Sequence, residues 1–277
     1  MGRFQITPLA DACGAEISGV DIKALNEETF EAIRTTLAER GVIFFRDQSL
    51  TPEDHIAFAR RWGGIDLNQY FPANGGHPEI AEVRKSESQT VNIGGGWHTD
   101  HSYDPIPAMG SILVARETPP EGGDTLFSNL AAAYDSLSTG LKGMLATLKA
   151  VHSADHIYGP DGVYAKTDQA ADLKGQQLHA SAVHPVIIRH PVTGRRILYV
   201  NPAFTLYFEG WTREESLSLL GYLYSVAMRP EFQCRLKWSP GSVAVWDNRL
   251  TWHFAMNDYH GHKRLMHRIT LSGVPIH

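Results

Sequence analysis

Cysteine is scarce in this chain: Cys13 and Cys234 are the only two in 277 residues, and they stand far apart in sequence. Two cysteines cannot build the disulfide framework on which small secreted domains depend, so both are read as reduced packing residues. Long apolar runs are missing as well. Stretches such as "GVIFF" at 41–45 and "HPVIIRH" at 184–190 fall far short of the roughly 20 residues that a membrane helix needs. The amino-terminal "MGRFQITPLADACG" has no apolar core followed by a small-residue cleavage site, and Ile6 stands where a myristoylation motif requires Ser or Thr. There is no basic surplus either: the formal net charge of -5 gives nothing with which to neutralise a phosphate backbone. Together these absences lead us to expect a cytoplasmic protein with no membrane and no nucleic-acid partner, acting on a small molecule.

What the chain does have is histidine, 14 of them, within an ordinary 43% of hydrophobic residues. The amino-terminal part alternates strand and helix signals. "FQITPL" and "AEISGVDI" read as strands. "NEETFEAIRTTLAERG" reads as a helix capped by Asn26, striped by Phe30, Ile33 and Leu37 and stopped by Gly41. "GVIFFRDQ" reads as a buried strand, and "TPEDHIAFARRWGG" as a helix with Thr51 as cap and Pro52 at the first helical position.

From about residue 78 short strands dominate: "EIAEVRK", "WHTDHSY", "GSILVARE", "DTLFSN", "AVHPVIIRHP", "RRILYVN", "FQCRLKW", "SVAVWDN" and "HRITLSG". Two helical interludes interrupt them, "NLAAAYDSLSTGLKGMLATL" and "TREESLSLLGYLYSVAM". This order predicts a mainly β fold with flanking helices, a double-stranded β-helix or jelly roll, in one domain spanning 1–277. Segments 84–96 and 154–181 read as loops, and their length suggests lids over the core.

The densest chemistry lies in "GGGWHTDHSYD" at 94–104. If this stretch is a strand, His98 and Asp100 project to one face while Thr99 and His101 project to the other. A His-x-Asp pair also serves as a plain structural hydrogen bond, so alone it does not specify a metal. The second signal is "SVAVWDNRLTWHFAMNDYHGHKRLMHRITLSG". His253 within it would complete two imidazoles and one carboxylate, the facial set that leaves three positions open on a non-haem iron. Arg264 and Arg268 share a face if "RLMHRITL" is a strand, and two guanidinium forks aimed into one cavity predict two anions.

The segments "WHTD", "PPEGGDTLFSNLAAAYDSL", "VWDNRLTWHFAMNDY" and "HKRLMHRITLSG" resemble the taurine dioxygenase family of Fe(II)- and 2-oxoglutarate-dependent oxygenases, over nearly the whole chain. The resemblance implies that His98, Asp100 and His253 hold the iron. It implies that Thr125 and Arg264 bind the distal carboxylate of 2-oxoglutarate, and that Arg268 binds the anionic group of the substrate. The reaction it implies consumes O2, hydroxylates a C–H bond of a small organic acid and releases succinate and CO2. Taurine-cleaving members carry substrate contacts where this chain has Asn68 and Gly94, so taurine is disfavoured. "AVHSADHIYG", "HPVIIRHPVTGRRILYVN" and "RPEFQCRLKW" are more similar to the aryloxyalkanoate branch, in which Phe204 would form an aromatic wall. Aryloxyalkanoates, sulfonates, alkyl sulfates and natural-product acids all remain candidate substrates, and relatives suggest a homodimer or homotetramer. The competing classes are a non-catalytic metal-binding jelly roll, a sensor or storage protein, and a zinc hydrolase for which the paired arginines have no evident purpose.

Overall fold

Capping and periodicity act where the sequence places them. The computed structural model describes residues 4–174 and 179–277. The helix Glu27–Arg40 starts at Asn26, whose side chain accepts from the Thr29 amide, and ends at Gly41, whose φ of 79° few residues other than glycine adopt. Thr51 and Asp54 form a reciprocal capping box at the start of Pro52–Trp62. Both helices lie on one face of a nine-stranded sheet.

The order across that sheet is Gln5–Pro8, Ala15–Ser18, Val42–Phe45, Val243–Asp247, Gly110–Glu117, Arg264–Leu271, His77–Lys85 and Ala73–Asn74, with Ile65–Asp66 pairing beside Arg264–Leu271. All pairings are antiparallel except that of Ala15–Ser18 with Val42–Phe45. Because side chains alternate along a strand, Ile43, Phe45, Val243, Val245, Ile269 and Leu271 pack under the two helices. Their neighbours Val42, Phe44, Ala244, Trp246 and Met266 face the other way, against Phe127, Cys234 and Leu236. These last three belong to a second sheet of three strands, ordered Gln233–Leu236, Thr125–Asn129 and Thr251–Ala255. A third sheet, Ser181–Pro185, Lys149–Ser153 and Thr205–Phe208, and the pair Ile187–Arg189 with Arg196–Leu198 come from the stretch of chain between Thr125–Asn129 and Gln233–Leu236. The fold is thus mainly β with a few helices, and the two facing sheets share one core.

Several local expectations are corrected. "WHTDHSY" forms no strand: only His98 makes an isolated bridge, and the chain then turns, with His101 at φ 60°. "NLAAAYDSLSTGLKGMLATL" is two short helices, Leu130–Asp135 and Thr139–Leu145, because the Ser138 side chain caps the Leu141 amide and starts the second one afresh. "AVHPVIIRHP" divides at Val186: Ser181–Pro185 joins Lys149–Ser153, whereas Ile187–Arg189 joins Arg196–Leu198.

The segment expected as a lid at 154–181 contains a helical turn, Asp155–Tyr158, and two 3-10 turns, Tyr164–Lys166 and Ala170–Asp172. Its residues 175–178 lie outside the described part of the chain. This segment is fastened to the other expected lid, 84–96. Asp168 accepts from the Thr90 amide at 2.5 Å, the Thr90 hydroxyl at 2.7 Å and the Val91 amide at 3.3 Å. Asp172 accepts from Gln89 and pairs with Arg84. Among the described residues no helix is long and apolar enough to cross a membrane.

Candidate metal centre and active site

The candidate ligands are brought together by backbone pairing rather than by a shared strand. The His98 amide donates to the His253 carbonyl at 3.1 Å, and the His253 amide donates back to the His98 carbonyl at 2.8 Å. One bridge pair thereby fixes "WHTD" against the strand Thr251–Ala255, which Thr125–Asn129 holds on its other side with His253 opposite Phe127. The turn after His98 then swings Asp100 back towards both rings. Its carboxylate lies 3.6 Å from His98 Nε2 and 3.9 Å from His253 Nε2.

Each ligand candidate is oriented by its surroundings. His98 Nδ1 donates to the Gly96 carbonyl at 2.8 Å, which leaves Nε2 without a proton and facing Asp100. The His253 ring lies against Phe127, at 6.0 Å between centroids, and against Trp246, at 4.9 Å. Burial, followed by the neighbouring His98, pushes the His253 pKa well below its ordinary value and favours the neutral ring that binds cations. Asp100 accepts from the Ser111 hydroxyl at 3.2 Å and lies 3.3 Å from Arg268 Nη1. Burial would raise the Asp100 pKa, but the Arg268 charge beside it holds it well below the usual carboxylate range.

These three residues could hold a metal ion. All three are buried, and one donor atom from each lies within 4.8 Å of the others. Donors on a common ion are roughly 3 Å apart when each sits about 2.1 Å from it at right angles, so small side-chain movements would close the set. Two imidazoles and one carboxylate on one side of an ion match the donor chemistry of a non-haem iron site with open positions opposite.

Thr125, Arg264 and Arg268 line the same cavity between the two facing sheets. Arg264, Met266 and Arg268 alternate with outward residues on the strand Arg264–Leu271, so both guanidiniums enter from the large sheet while Thr125 and His253 enter from the small one. Arg264 is 5% exposed, has no ion pair among the described residues and has a buried Nε without a hydrogen-bond partner. Arg268 is 8% exposed and lies over the Phe71 ring as well as beside Asp100. The Thr125 hydroxyl accepts from Trp238 Nε1 at 2.9 Å, which fixes its position across from Arg264.

A second cavity of about 450 Å³ adjoins the first, sharing His98, Gly94 and Tyr158 with it. Phe204 lines it and stands edge-on to His98 at 6.2 Å. Asn68 differs from the rest: it lines neither cavity, and its carboxamide oxygen accepts from the Tyr70 and Phe71 amides. That turn consumes the group expected to touch substrate and instead presents Phe71 to Arg268.

Sequence reading passed over Ser111, the Gly96 carbonyl, Trp238, Tyr158 and Tyr164. Ser111 and Trp238 act as single hydrogen-bond donors with no spacing signature, and the Gly96 carbonyl carries no residue signal. The tyrosines were hidden inside a segment read only as a loop.

Against this geometry, residues 5–270 match the model of the family described as "Taurine catabolism dioxygenase TauD, TfdA family". The alpha-ketoglutarate-dependent sulfate ester dioxygenase of Pseudomonas putida is 34% identical over 99% of this chain and 91% of its own. The (S)-phenoxypropionate/alpha-ketoglutarate-dioxygenase of Sphingobium herbicidovorans is 31% identical over 98% of this chain and 96% of its own. The crystal structure of a taurine dioxygenase from Burkholderia xenovorans superposes with a TM-score of 0.83 at 37% identity, covering 98% of this chain and 91% of that one. With the family model matching residues 5–270, the chain belongs to the TauD/TfdA family of dioxygenases.

Proposed function

We propose that His98, Asp100 and His253 hold the ferrous ion of this 2-oxoglutarate-dependent dioxygenase, and that Arg264 with Thr125 binds the distal carboxylate of 2-oxoglutarate. Arg268 is assigned to the anionic group of the substrate. The observation that carries the reading is Arg264: a guanidinium buried in the cavity without an ion pair among the described residues is a site built for an anion from outside the chain. Arg268 and Ser111 keep the Asp100 carboxylate ionised and aimed, and Gly96 keeps His98 Nε2 free of a proton.

When bound, the iron and 2-oxoglutarate supply the oxidising chemistry, in which O2 is consumed, succinate and CO2 leave and a C–H bond becomes C–OH. The protein's part is to hold one bond of the substrate near the open side of the metal and to exclude water. The substrate is a small organic acid, and the sulfate ester and phenoxypropionate activities of relatives mark the range. Asn68 acts on it indirectly, through Tyr70 and Phe71, and Phe204 acts as a wall beside His98. The two facing sheets are assigned as the halves of a double-stranded β-helix in a single domain, with 84–96 and 154–181 as its lids.

Succinate release from 2-oxoglutarate by protein loaded anaerobically with Fe(II), then exposed to O2 and a panel of aryloxy acids, sulfonates and alkyl sulfates, tests this. Acid-dependent succinate is expected, and Asp100→Ala should abolish it. Iron binding without succinate from any acid would favour a sensor or storage role.

A further inference from the structure

The turn at residues 248–250 joins the strand Val243–Asp247 to the strand Thr251–Ala255, and it is bonded to the chain on either side of each candidate ligand. Towards His253, the Asn248 side-chain oxygen accepts from Trp246 Nε1 at 2.8 Å, which fixes the indole that lies against the imidazole. Towards Ser111, the hydroxyl partner of Asp100, the Asn248 amide donates to the Met109 carbonyl at 3.0 Å. Between His98 and Asp100 stands Thr99, 2% exposed. Its hydroxyl donates to the Asn248 carbonyl and lies 3.1 Å from the Thr251 carbonyl.

The turn is itself braced from behind. The buried Asp247 carboxylate accepts from Arg249 Nε at 2.8 Å, from Arg249 Nη2 at 2.5 Å and from His190 Nε2 at 3.0 Å. His190 Nδ1 accepts from the Val192 and Thr193 amides, so a neutral ring carries its proton on Nε2, facing Asp247. The Thr251 hydroxyl donates to the Asp247 carbonyl at 2.9 Å. Asp100 is held less firmly. The chain turns directly after His98, and the two carboxylate oxygens of Asp100 lie 3.4 and 3.3 Å from Arg268 Nη1, with only Ser111 as a further partner. A carboxylate free to swing towards that guanidinium is withdrawn from the imidazoles, so the anchor at Thr99 decides which partner it serves.

Resting on the assignment of His98, Asp100 and His253 to the metal, we propose that Thr99 is a positioning residue: its hydroxyl ties the turn that carries Asp100 to the braced turn before His253, and so sets the spacing of the three donors. Thr99→Val keeps the shape of the side chain and removes the donor, whereas Thr99→Ser keeps the donor and removes a methyl group. Anaerobic calorimetric titration with Fe(II) alone, well below the melting temperature of each variant, reads the effect. Thr99→Val should bind Fe(II) about tenfold more weakly, the scale of one buried hydrogen bond lost with its acceptor left in place. Thr99→Ser should recover most of that affinity. A role in packing alone gives the opposite order, because valine fills the space of threonine better than serine does. Should the valine variant not fold, Thr99→Ala takes its place, with the same gap to serine expected. Unchanged Fe(II) affinity without the hydroxyl, or serine as weak as valine, would overturn the proposal. Asp100→Ala is titrated beside them. If it binds Fe(II) as tightly as the unmodified protein, the ligand assignment falls and the role of Thr99 with it; if it loses Fe(II) while Thr99→Val does not, only the role of Thr99 falls.

Discussion

His98 and His253 exchange two backbone hydrogen bonds, and their rings lie 4.0 Å apart between centroids. The same pair that offers two metal donors therefore also ties the loop after Gly96 to the small sheet. Backbone bonds of this kind fix donor positions before any ion arrives, which lowers the cost of organising the site on binding.

Arg264 provides the sharpest test of the cosubstrate assignment. Arg264→Ala should raise the KM for 2-oxoglutarate about ten- to hundredfold, the worth of a charge-assisted hydrogen bond to a carboxylate. The KM for the organic acid should move far less. Steady-state succinate assays varying each component in turn give the answer, and the opposite split would mean that Arg264 and Arg268 have exchanged roles.

The three glycines of "GGGWH" should not respond alike. Gly94→Ala forces a side chain into a left-handed backbone and against His98, a strain of about 1–2 kcal/mol before any contact is counted. Its expected result is weakened iron binding and slower turnover. A Cβ at Gly96 meets nothing within 4 Å, so Gly96→Ala should bind iron as the unmodified protein does. Iron titrations of both variants check this, and equal losses would show that the close approach at Gly94 is unimportant.

Asp168 joins the two long segments near the site through three hydrogen bonds to Thr90 and Val91. In Asp168→Ala the Thr90 and Val91 amides should exchange hydrogen faster, while those of the strand Gly110–Glu117 stay as they were. Unchanged exchange at Thr90 and Val91 would mean that other contacts hold 84–96 in place.

Two buried histidines away from the metal candidates set an acid limit. Burial, with the Arg116 charge, pushes His55 down to about 3, and burial with His184 nearby does the same to His152. An unfolded histidine titrates near 6.5. Below that pH the unfolded chain takes up protons that the folded one refuses, so stability is full above about 6.5 and falls as pH drops towards 3. Each group contributes a slope of up to about 1.4 kcal/mol per pH unit. Urea unfolding at pH 7.5, 6 and 5 should show the decline, and a smaller one in His152→Asn; a flat profile would contradict the burial of both rings.

Much of this was legible from residue order. Asn26, Thr51, Pro52 and Gly41 mark their helix ends through local chemistry, which acts within a few residues and does not depend on the rest of the fold. Alternation along "RLMHRITL" was sufficient to send Arg264 and Arg268 to one face, because strand period is a property of the backbone. His98, Asp100 and His253 could likewise be picked out as a candidate set from residue types and motif order, and the structure brings them together. Their convergence could not: it comes from a long-range bridge followed by a turn, where local spacing had suggested a strand. Asn68 is the reverse case, a residue type suited to substrate whose oxygen the neighbouring amides claim first. The ring contacts of Tyr158 with Tyr164 and Phe204 exist only where separate segments meet. Packing is decided by every element at once, so this arrangement belongs to the tertiary structure alone.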